Sequence, residues 1–170
     1  MNVEIAHQAV IRPIGRPGDF GWVVLAHGEM YAAEYGWSSA FEVMVAGIVA
    51  DFAAEHDPAR EAGWIAELDG RRVGSVFCVD AKDEDIATAK LRVLLVDPAA
   101  RGHHLGTRLV EICVEFARAA GYRRIRLWTM NTLAAARHVY LTAGFRLVAE
   151  EPGPFDFGDG LTAQVYELEL

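Results

Sequence analysis

Residues 93–109 constrain the fold more than any other part of the chain. The first four of them are apolar, which indicates a strand buried on both faces, and an Asp-Pro pair ends that strand. From Leu105 onward, apolar residues recur at helical spacing until Gly121 ends the pattern. The sequence therefore predicts a buried strand, a loop with two glycines and an amphipathic helix in direct succession.

The start of this helix is suited to binding an anion. The first backbone N–H groups of a helix lack internal acceptors, and the helix dipole makes that end positive. Gly102 and Gly106 would let a bulky ligand approach the backbone, while Arg101, His103 and His104 add positive charge. An ordinary strand–helix turn with exposed basic residues is the alternative. A P-loop and the dinucleotide fingerprint are excluded, since the Gly-Lys-Ser/Thr ending and the third glycine are absent.

The charge distribution also points to an anion near this helix. The 170-residue chain has a net charge of −8, but residues 101–146 hold eight arginines and two acidic residues, a net charge of +6. The remainder is therefore −14. The acidic overall balance argues against a nucleic-acid or anionic-membrane partner, because both attract proteins with excess positive charge.

Length and composition indicate one folded domain over residues 1–170. Apolar residues make up 52% of the chain, too many for a disordered protein. Cys78 and Cys113 lie in apolar runs without metal-ligand spacing, so we expect buried thiols, no metal site and a reducing compartment. The sequence shows no secretory signal and no apolar run long enough to span a bilayer, so we expect a cytoplasmic protein.

Periodicity and turn signals predict the element order β-α-α-β-β-β-α-β-α-β-β, hence an α/β or α+β fold with one mixed sheet. Asp19 is the expected N-cap of the first helix, Asp69-Gly70 a tight hairpin turn, and the last two strands a hairpin. The predicted strands cover residues 7–14, 63–68, 72–79, 87–96, 125–129, 145–149 and 163–168, and the helices cover 19–35, 38–55, 105–120 and 133–142.

The strand–loop–helix junction resembles the acetyl-CoA signature of the GNAT superfamily of acyl-CoA-dependent N-acyltransferases, Gln/Arg-x-x-Gly-x-Gly/Ala. Arg101 takes the first position and Gly106 the last, whereas His104 replaces the middle glycine. Residues 127–145 are similar to the superfamily's Asn…Ala…Tyr…Gly-Phe block, with Asn131 and Tyr140 at the matching positions. The spacing between these two is a residue or two longer than in many members.

The resemblance covers nearly the whole chain, most specifically residues 91–148. It implies a mixed, mostly antiparallel sheet of about seven strands with about four helices. Residues 18–22 and 35–37 are also similar to GNAT domains fused to MarR-type regulators, here without the regulator domain.

This resemblance implies an N-acetyltransferase that passes the acetyl group of acetyl-CoA directly to a primary amine of a small molecule or protein. A non-catalytic acetyl-CoA-binding sensor is the alternative, since Lys90 and Arg92 occupy the fourth-strand positions where many relatives place a carboxylate. We expect the acidic remainder of the chain to favour a cationic amine. Edge strands near the C-terminus could support a homodimer.

The resemblance also implies roles for individual residues. Tyr140 would protonate the departing thiolate, and a backbone N–H near Leu95 or Val96, where the fourth strand splays, would polarise the thioester carbonyl. The implied cofactor-binding residues are Leu94, Val96, Arg101, Gly102, His103, His104, Leu105, Gly106, Thr107 and Asn131. The general base stays open among His27, Glu29, Glu34 and Asp80, and the aromatic residues expected in an acceptor pocket or in the core are Trp22, Tyr31, Tyr35, Trp37 and Phe41.

Overall fold

The computed structural model describes residues 8–82 and 86–170. Its elements are β1 (Ala9–Pro13), α1 (Asp19–Tyr35), α2 (Ser39–Glu55), β2 (Ala62–Leu68), β3 (Arg71–Asp80), β4 (Thr88–Val96), α3 (Leu105–Ala119), β5 (Arg124–Met130), α4 (Ala134–Thr142), β6 (Arg146–Pro152) and β7 (Thr162–Glu169), with a 3₁₀ turn at Pro98–Ala100. The predicted order and fold class are confirmed. His7, the first residue of the first predicted strand, lies outside the described residues.

The seven strands form one sheet in the order β1-β2-β3-β4-β5-β7-β6. Every neighbouring pair is antiparallel except β4 and β5, which are parallel. The predicted turn between β2 and β3 is confirmed: Asp69 and Gly70 have positive φ angles of 52° and 77°, as the type I′ turn of a two-residue hairpin requires. The last two strands pair as expected, but β7 lies inside the sheet and leaves β6 at the edge.

Helices cover both faces of the sheet and build two cores. Successive side chains of β3 point to opposite faces, so Val76 and Cys78 pack on the side of α3, whereas Phe77 packs on the side of α1 and α2. The apolar stripe of α3 is buried as its spacing predicts. Cys78 and Cys113 are buried free thiols, as expected.

The expectation that Asp19 caps α1 is wrong. Gly18 takes the N-cap position with a φ of 89°, and the Asp19 side chain is fully buried. Asp19 accepts hydrogen bonds from both Arg12 Nη atoms at 2.8 and 2.9 Å, from Arg72 Nε at 2.8 Å, and from two backbone amides of the preceding loop. The bonds from Arg12 hold the pKa of Asp19 well below its usual range. This carboxylate therefore joins α1 to β1 and β3.

Candidate active site

The sheet opens between β4 and β5. The parallel ladder joins them only from Thr88 and Arg124 to Leu91 and Leu127. Beyond Leu91 the end of β4 has no ladder partner on β5 within the described residues, so that side of the strand faces a gap. The opening places backbone polar groups of β4 where a ligand could reach them.

A bulge lies opposite this gap. The register between β3 and β4 shifts between Ser75 and Phe77, and Val93 adopts a φ of 48°. A β-branched residue rarely takes a positive φ, so the surrounding structure must hold it, and the Ser75 hydroxyl donates a 2.7 Å hydrogen bond to the Val93 carbonyl. The strand is therefore most irregular at Val93 and Leu94, and Leu95 and Val96 are back in register with β3.

One cavity of about 400 Å³ lies between α1, the end of β4 and the start of α3, and we call it the α3 pocket. Eight of the ten residues expected to bind the cofactor line it. These are Leu94, Val96, Arg101, Gly102, His104, Leu105, Gly106 and Thr107. The structure thus brings most of the predicted set to one cavity.

Unpaired amides of α3 face this pocket. The first hydrogen bond at this end of the helix runs from the Arg108 N–H to the His104 carbonyl at 3.1 Å. The amides of Leu105, Gly106 and Thr107 consequently have no acceptor among the described residues. Three free N–H groups at a positive helix end can bind the oxygens of a phosphate.

His104 replaces a glycine of the signature but has the left-handed backbone conformation that glycine favours. His104 has a φ of 54° in the left-handed region and lies at the N-cap of α3. Gly102 before it has a φ of 89°. The loop therefore turns as a glycine-containing loop would, and the imidazole of His104 is exposed beside the pocket.

An ion pair borders the α3 pocket. Arg101 Nη2 donates to Glu34 Oε1 and Oε2 at 3.0 and 3.2 Å, which connects the loop before α3 to α1. Both side chains retain solvent access. Glu34, one of the candidate bases, is thus placed on the α3-pocket side and already engaged by Arg101.

A second cavity of about 400 Å³ lies against α2, and we call it the α2 pocket. The two pockets share Tyr31, Leu94, Leu133 and Ala136, so they meet at the gap between β4 and β5. Of the five expected aromatic residues, three line the α2 pocket, Tyr35 lines the α3 pocket, and Trp22 packs against the core on the α1–α2 side. The three are Tyr31, Trp37 and Phe41.

Tyr140 reaches the α2 pocket from α4. Its ring is buried near Phe145 and Tyr166, with centroids 6.0 and 6.2 Å away, and its hydroxyl forms no hydrogen bond to the described residues. Burial raises the pKa of Tyr140, and burial likewise raises the pKa of Tyr31. Both hydroxyls therefore stay protonated at neutral pH and can donate to a ligand.

His27, in contrast to the two tyrosines, can accept a hydrogen bond from a ligand. Its Nδ1 lies 2.7 Å from the Val23 carbonyl, which can only accept, so Nδ1 carries the proton. Its Nε2 is buried without a partner in the described structure, and the residue lines the α2 pocket. Burial lowers the pKa of His27 to about 4, so the ring is neutral at pH 7 with a free lone pair.

Four other residues expected at the site lie outside both linings. Asn131 Oδ1 accepts from the Thr162 N–H at 3.1 Å and so ties β5 to β7. His103 is half-buried in the loop before α3. Glu29 is exposed, and Asp80 accepts a 3.0 Å hydrogen bond from Arg60.

Two charged residues were not among those expected in a pocket. Asp51 on α2 and Arg92 on β4 both line the α2 pocket. Asp51 interrupts an otherwise apolar stretch of α2, which is a weak signal. The sequence predicts Arg92 on the fourth strand, and only the packing of α2 over the sheet brings it into this pocket.

Residues 8–82 and 86–170 contain no group of three or more His, Cys, Asp or Glu side chains that could hold a metal ion. No helix in these ranges is long and apolar enough to cross a bilayer.

Comparison with known proteins gives a consistent result. The sequence model of the "Acetyltransferase (GNAT) family" matches residues 24–145. The chain is 35% identical to the probable N-acetyltransferase camello of Xenopus laevis, over 63% of this chain and 49% of the relative. It is 37% identical to the mycothiol acetyltransferase of Beutenbergia cavernae, over 48% of this chain and 26% of the relative. The chain thus spans about a quarter to a half of the length of the curated relatives it matches.

Solved structures share the fold. The putative acetyltransferase yncA from Salmonella typhimurium, determined with its cofactor acetyl-CoA, superposes with a TM-score of 0.74 at 18% identity. The superposition covers 96% of this chain and 94% of that one. At this identity the likeness concerns the fold alone.

Proposed function

This chain belongs to the GNAT family of acetyltransferases, and on that premise we propose that it transfers the acetyl group of acetyl-CoA to a primary amine of a small molecule or protein. The observation that carries the proposal is the meeting of two cavities at the gap between β4 and β5. A donor in one cavity and an acceptor in the other would have their reacting groups side by side, which is the main requirement of direct transfer.

The α3 pocket fits the pyrophosphate end of acetyl-CoA. The free amides of residues 105–107 and the Arg101 guanidinium supply donors, and Gly106 keeps the backbone accessible. Glu34 holds Arg101 at the pocket, so a bound phosphate would share this cation with the carboxylate. When bound, acetyl-CoA supplies an activated acetyl group as a thioester.

Residues of this chain would act at three atoms. The backbone N–H of Leu94, at the bulge and in both pocket linings, donates to the thioester oxygen as negative charge develops there. The Tyr140 hydroxyl donates to the departing sulfur. His27 Nε2 accepts a hydrogen bond from the neutral amine and orients it, since its low pKa keeps the ring from taking up a proton; the proton that the ammonium form of the acceptor loses goes to bulk water.

The test is release of free CoA thiol from acetyl-CoA across a panel of amines, amino acids, polyamines and peptide N-termini. The expected result is thiol release that requires both substrates, with the acetylated product found by mass spectrometry. The protein's own two thiols are buried and add little background. Binding of acetyl-CoA without release for any acceptor would contradict the proposal and favour the sensor alternative.

The homodimer belongs to the same proposal. β6 is exposed along its whole length at the edge of the sheet, where a second copy could extend the hydrogen-bonded ladder. Light scattering after size exclusion should give twice the 18.7 kDa chain mass, and a mass of one chain would exclude the dimer.

A further inference from the structure

Arg92 is a cation without a close counter-ion in a largely apolar cavity. It lies half-buried on β4 and lines the α2 pocket. Among the described residues it forms no hydrogen bond and no ion pair within 4.0 Å, and Asp51 is the acidic group whose charge acts on it from further away. Burial lowers the pKa of Arg92, and the charge of Asp51 offsets only part of that effect. An arginine in this position costs stability unless something pairs with it.

The position of Arg92 suggests what that partner is. Arg92 lines the same cavity as Tyr140 and His27, which would face the departing sulfur and the reacting amine respectively. A guanidinium presents a planar fork of N–H donors that matches a carboxylate in geometry and charge. A ligand carboxylate in the α2 pocket would therefore supply the close counter-ion that Arg92 lacks among the described residues.

The rest of the wall defines the other end of such a ligand. Trp37, Phe41 and Ile48 provide an apolar surface for a hydrocarbon or aromatic body. Asp51 is exposed on the same lining and would attract an ammonium group during entry. The pocket thus carries one positive group, one negative group and an apolar wall.

We propose that the acceptor is a zwitterionic amine, whose carboxylate pairs with Arg92 and whose apolar body packs against the aromatic wall of the α2 pocket. This inference rests on the proposed acetyltransferase function and narrows its acceptor to α-amino acids with apolar side chains and compounds of the same chemistry. It adds a carboxylate to the cationic amine that the acidic charge of the chain suggested.

The first test compares acceptors that differ only in the carboxylate. L-phenylalanine is paired with 2-phenylethylamine, and L-leucine with 3-methylbutylamine, in the thiol-release assay. A carboxylate paired with a half-buried arginine should raise kcat/KM about 10- to 100-fold over the decarboxylated amine. Arg92→Gln should bring the ratio within a pair close to one, and Arg92→Lys should retain part of it.

Lys90→Gln is the matched control. Lys90 lies two residues before Arg92 on β4, on the same face, but outside both pocket linings. The Lys90→Gln variant removes the same charge from the same strand and should leave the kcat/KM ratio within each acceptor pair unchanged. Equal loss of the ratio in both variants would show a general field effect of the strand and would overturn a specific role for Arg92.

A second test needs no turnover. 3-Phenylpropionate carries the carboxylate and the apolar body but no amine, and 3-phenylpropanol is its neutral counterpart. In calorimetric titrations near pH 7.5 the acid should bind at least about 10-fold more tightly, and Arg92→Gln should abolish the difference. Equal binding of the two compounds would overturn the inference.

The outcomes separate this inference from the proposed function. Acetylation of other amines, with the decarboxylated member of each pair preferred or both members inert, refutes the zwitterionic acceptor and leaves acetyl transfer intact. Tight, Arg92-dependent binding of 3-phenylpropionate without thiol release from any acceptor refutes the transferase activity and supports the carboxylate site.

Discussion

Gly106→Asp separates ligand binding from folding in the α3 pocket. Gly106 is the second residue of α3, and a Cβ there would lie 3.6 Å from Val139 Cγ2 and 3.8 Å from Val96 Cγ2. These are ordinary van der Waals contacts, and the φ of Gly106 is not positive. The free protein should therefore accept an aspartate at this position, since acidic residues are favoured in the first turn of a helix.

The expected change in stability is small and favourable. Aspartate is a better helix former than glycine and its charge complements the helix dipole in the first turn, a combined gain of up to about 1 kcal/mol, which corresponds to a rise in Tm of up to roughly 4 °C for a chain of this length. Gly21→Asp in the first turn of α1 is the matched control. Gly21 has nothing within 4 Å of its Cβ position and lies outside both pockets, so the control should change Tm similarly and acetyl-CoA binding not at all.

The expected change in affinity is large. The carboxylate would stand at the free amides of the first turn, where the phosphate must approach, and losing one hydrogen bond to a charged group costs about 1.5–3 kcal/mol. Calorimetry should therefore show acetyl-CoA binding weakened about 10- to 150-fold. Wild-type affinity in a normally folded Gly106→Asp protein would refute the placement of the pyrophosphate at this helix start.

Three further substitutions test other parts of the structure. Tyr140→Phe should lower kcat by up to about 100-fold with little change in acetyl-CoA affinity, because it removes only the proton donor. An unchanged rate of acetyl transfer in a pre-steady-state assay would exclude that role. Asp19→Asn should destabilise the fold by about 3–5 kcal/mol in urea titrations, since Arg12 and Arg72 lose a buried anion, and a loss below 1 kcal/mol would contradict the burial of this charge. The pKa of His27 is lowered from 6.5 in the unfolded chain to about 4 in the folded protein, so the unfolded chain binds a proton first as pH falls. The free energy of unfolding should therefore drop by up to about 3 kcal/mol between these two pH values. In urea titrations His27→Leu should flatten this dependence of stability on pH, and an unchanged dependence would contradict the burial of a neutral His27.

Local chemistry accounts for the parts of the fold that could be predicted. Gly36 ends α1 in the left-handed conformation, the Ser38 hydroxyl accepts from the Ala40 amide to cap α2, and the β2–β3 turn follows from its Asp-Gly pair. Each signal lies within a few residues of the feature it specifies.

Long-range pairing accounts for what could not be predicted. The insertion of β7 between β5 and β6 and the burial of Asp19 between two arginines depend on strands far apart in sequence. The same applies to the site. The glycine signature located the α3 pocket, whereas the α2 pocket with Asp51 and Arg92 appears only when a helix and a strand from different parts of the chain are brought together.

The most direct test is a crystal structure of the protein grown with acetyl-CoA. The proposed function predicts phosphate oxygens within hydrogen-bond distance of the amides of residues 105–107, and the acetyl group beside Leu94 where the two pockets meet. Acetyl-CoA bound elsewhere, or an α3 pocket left empty at saturating concentration, would contradict it.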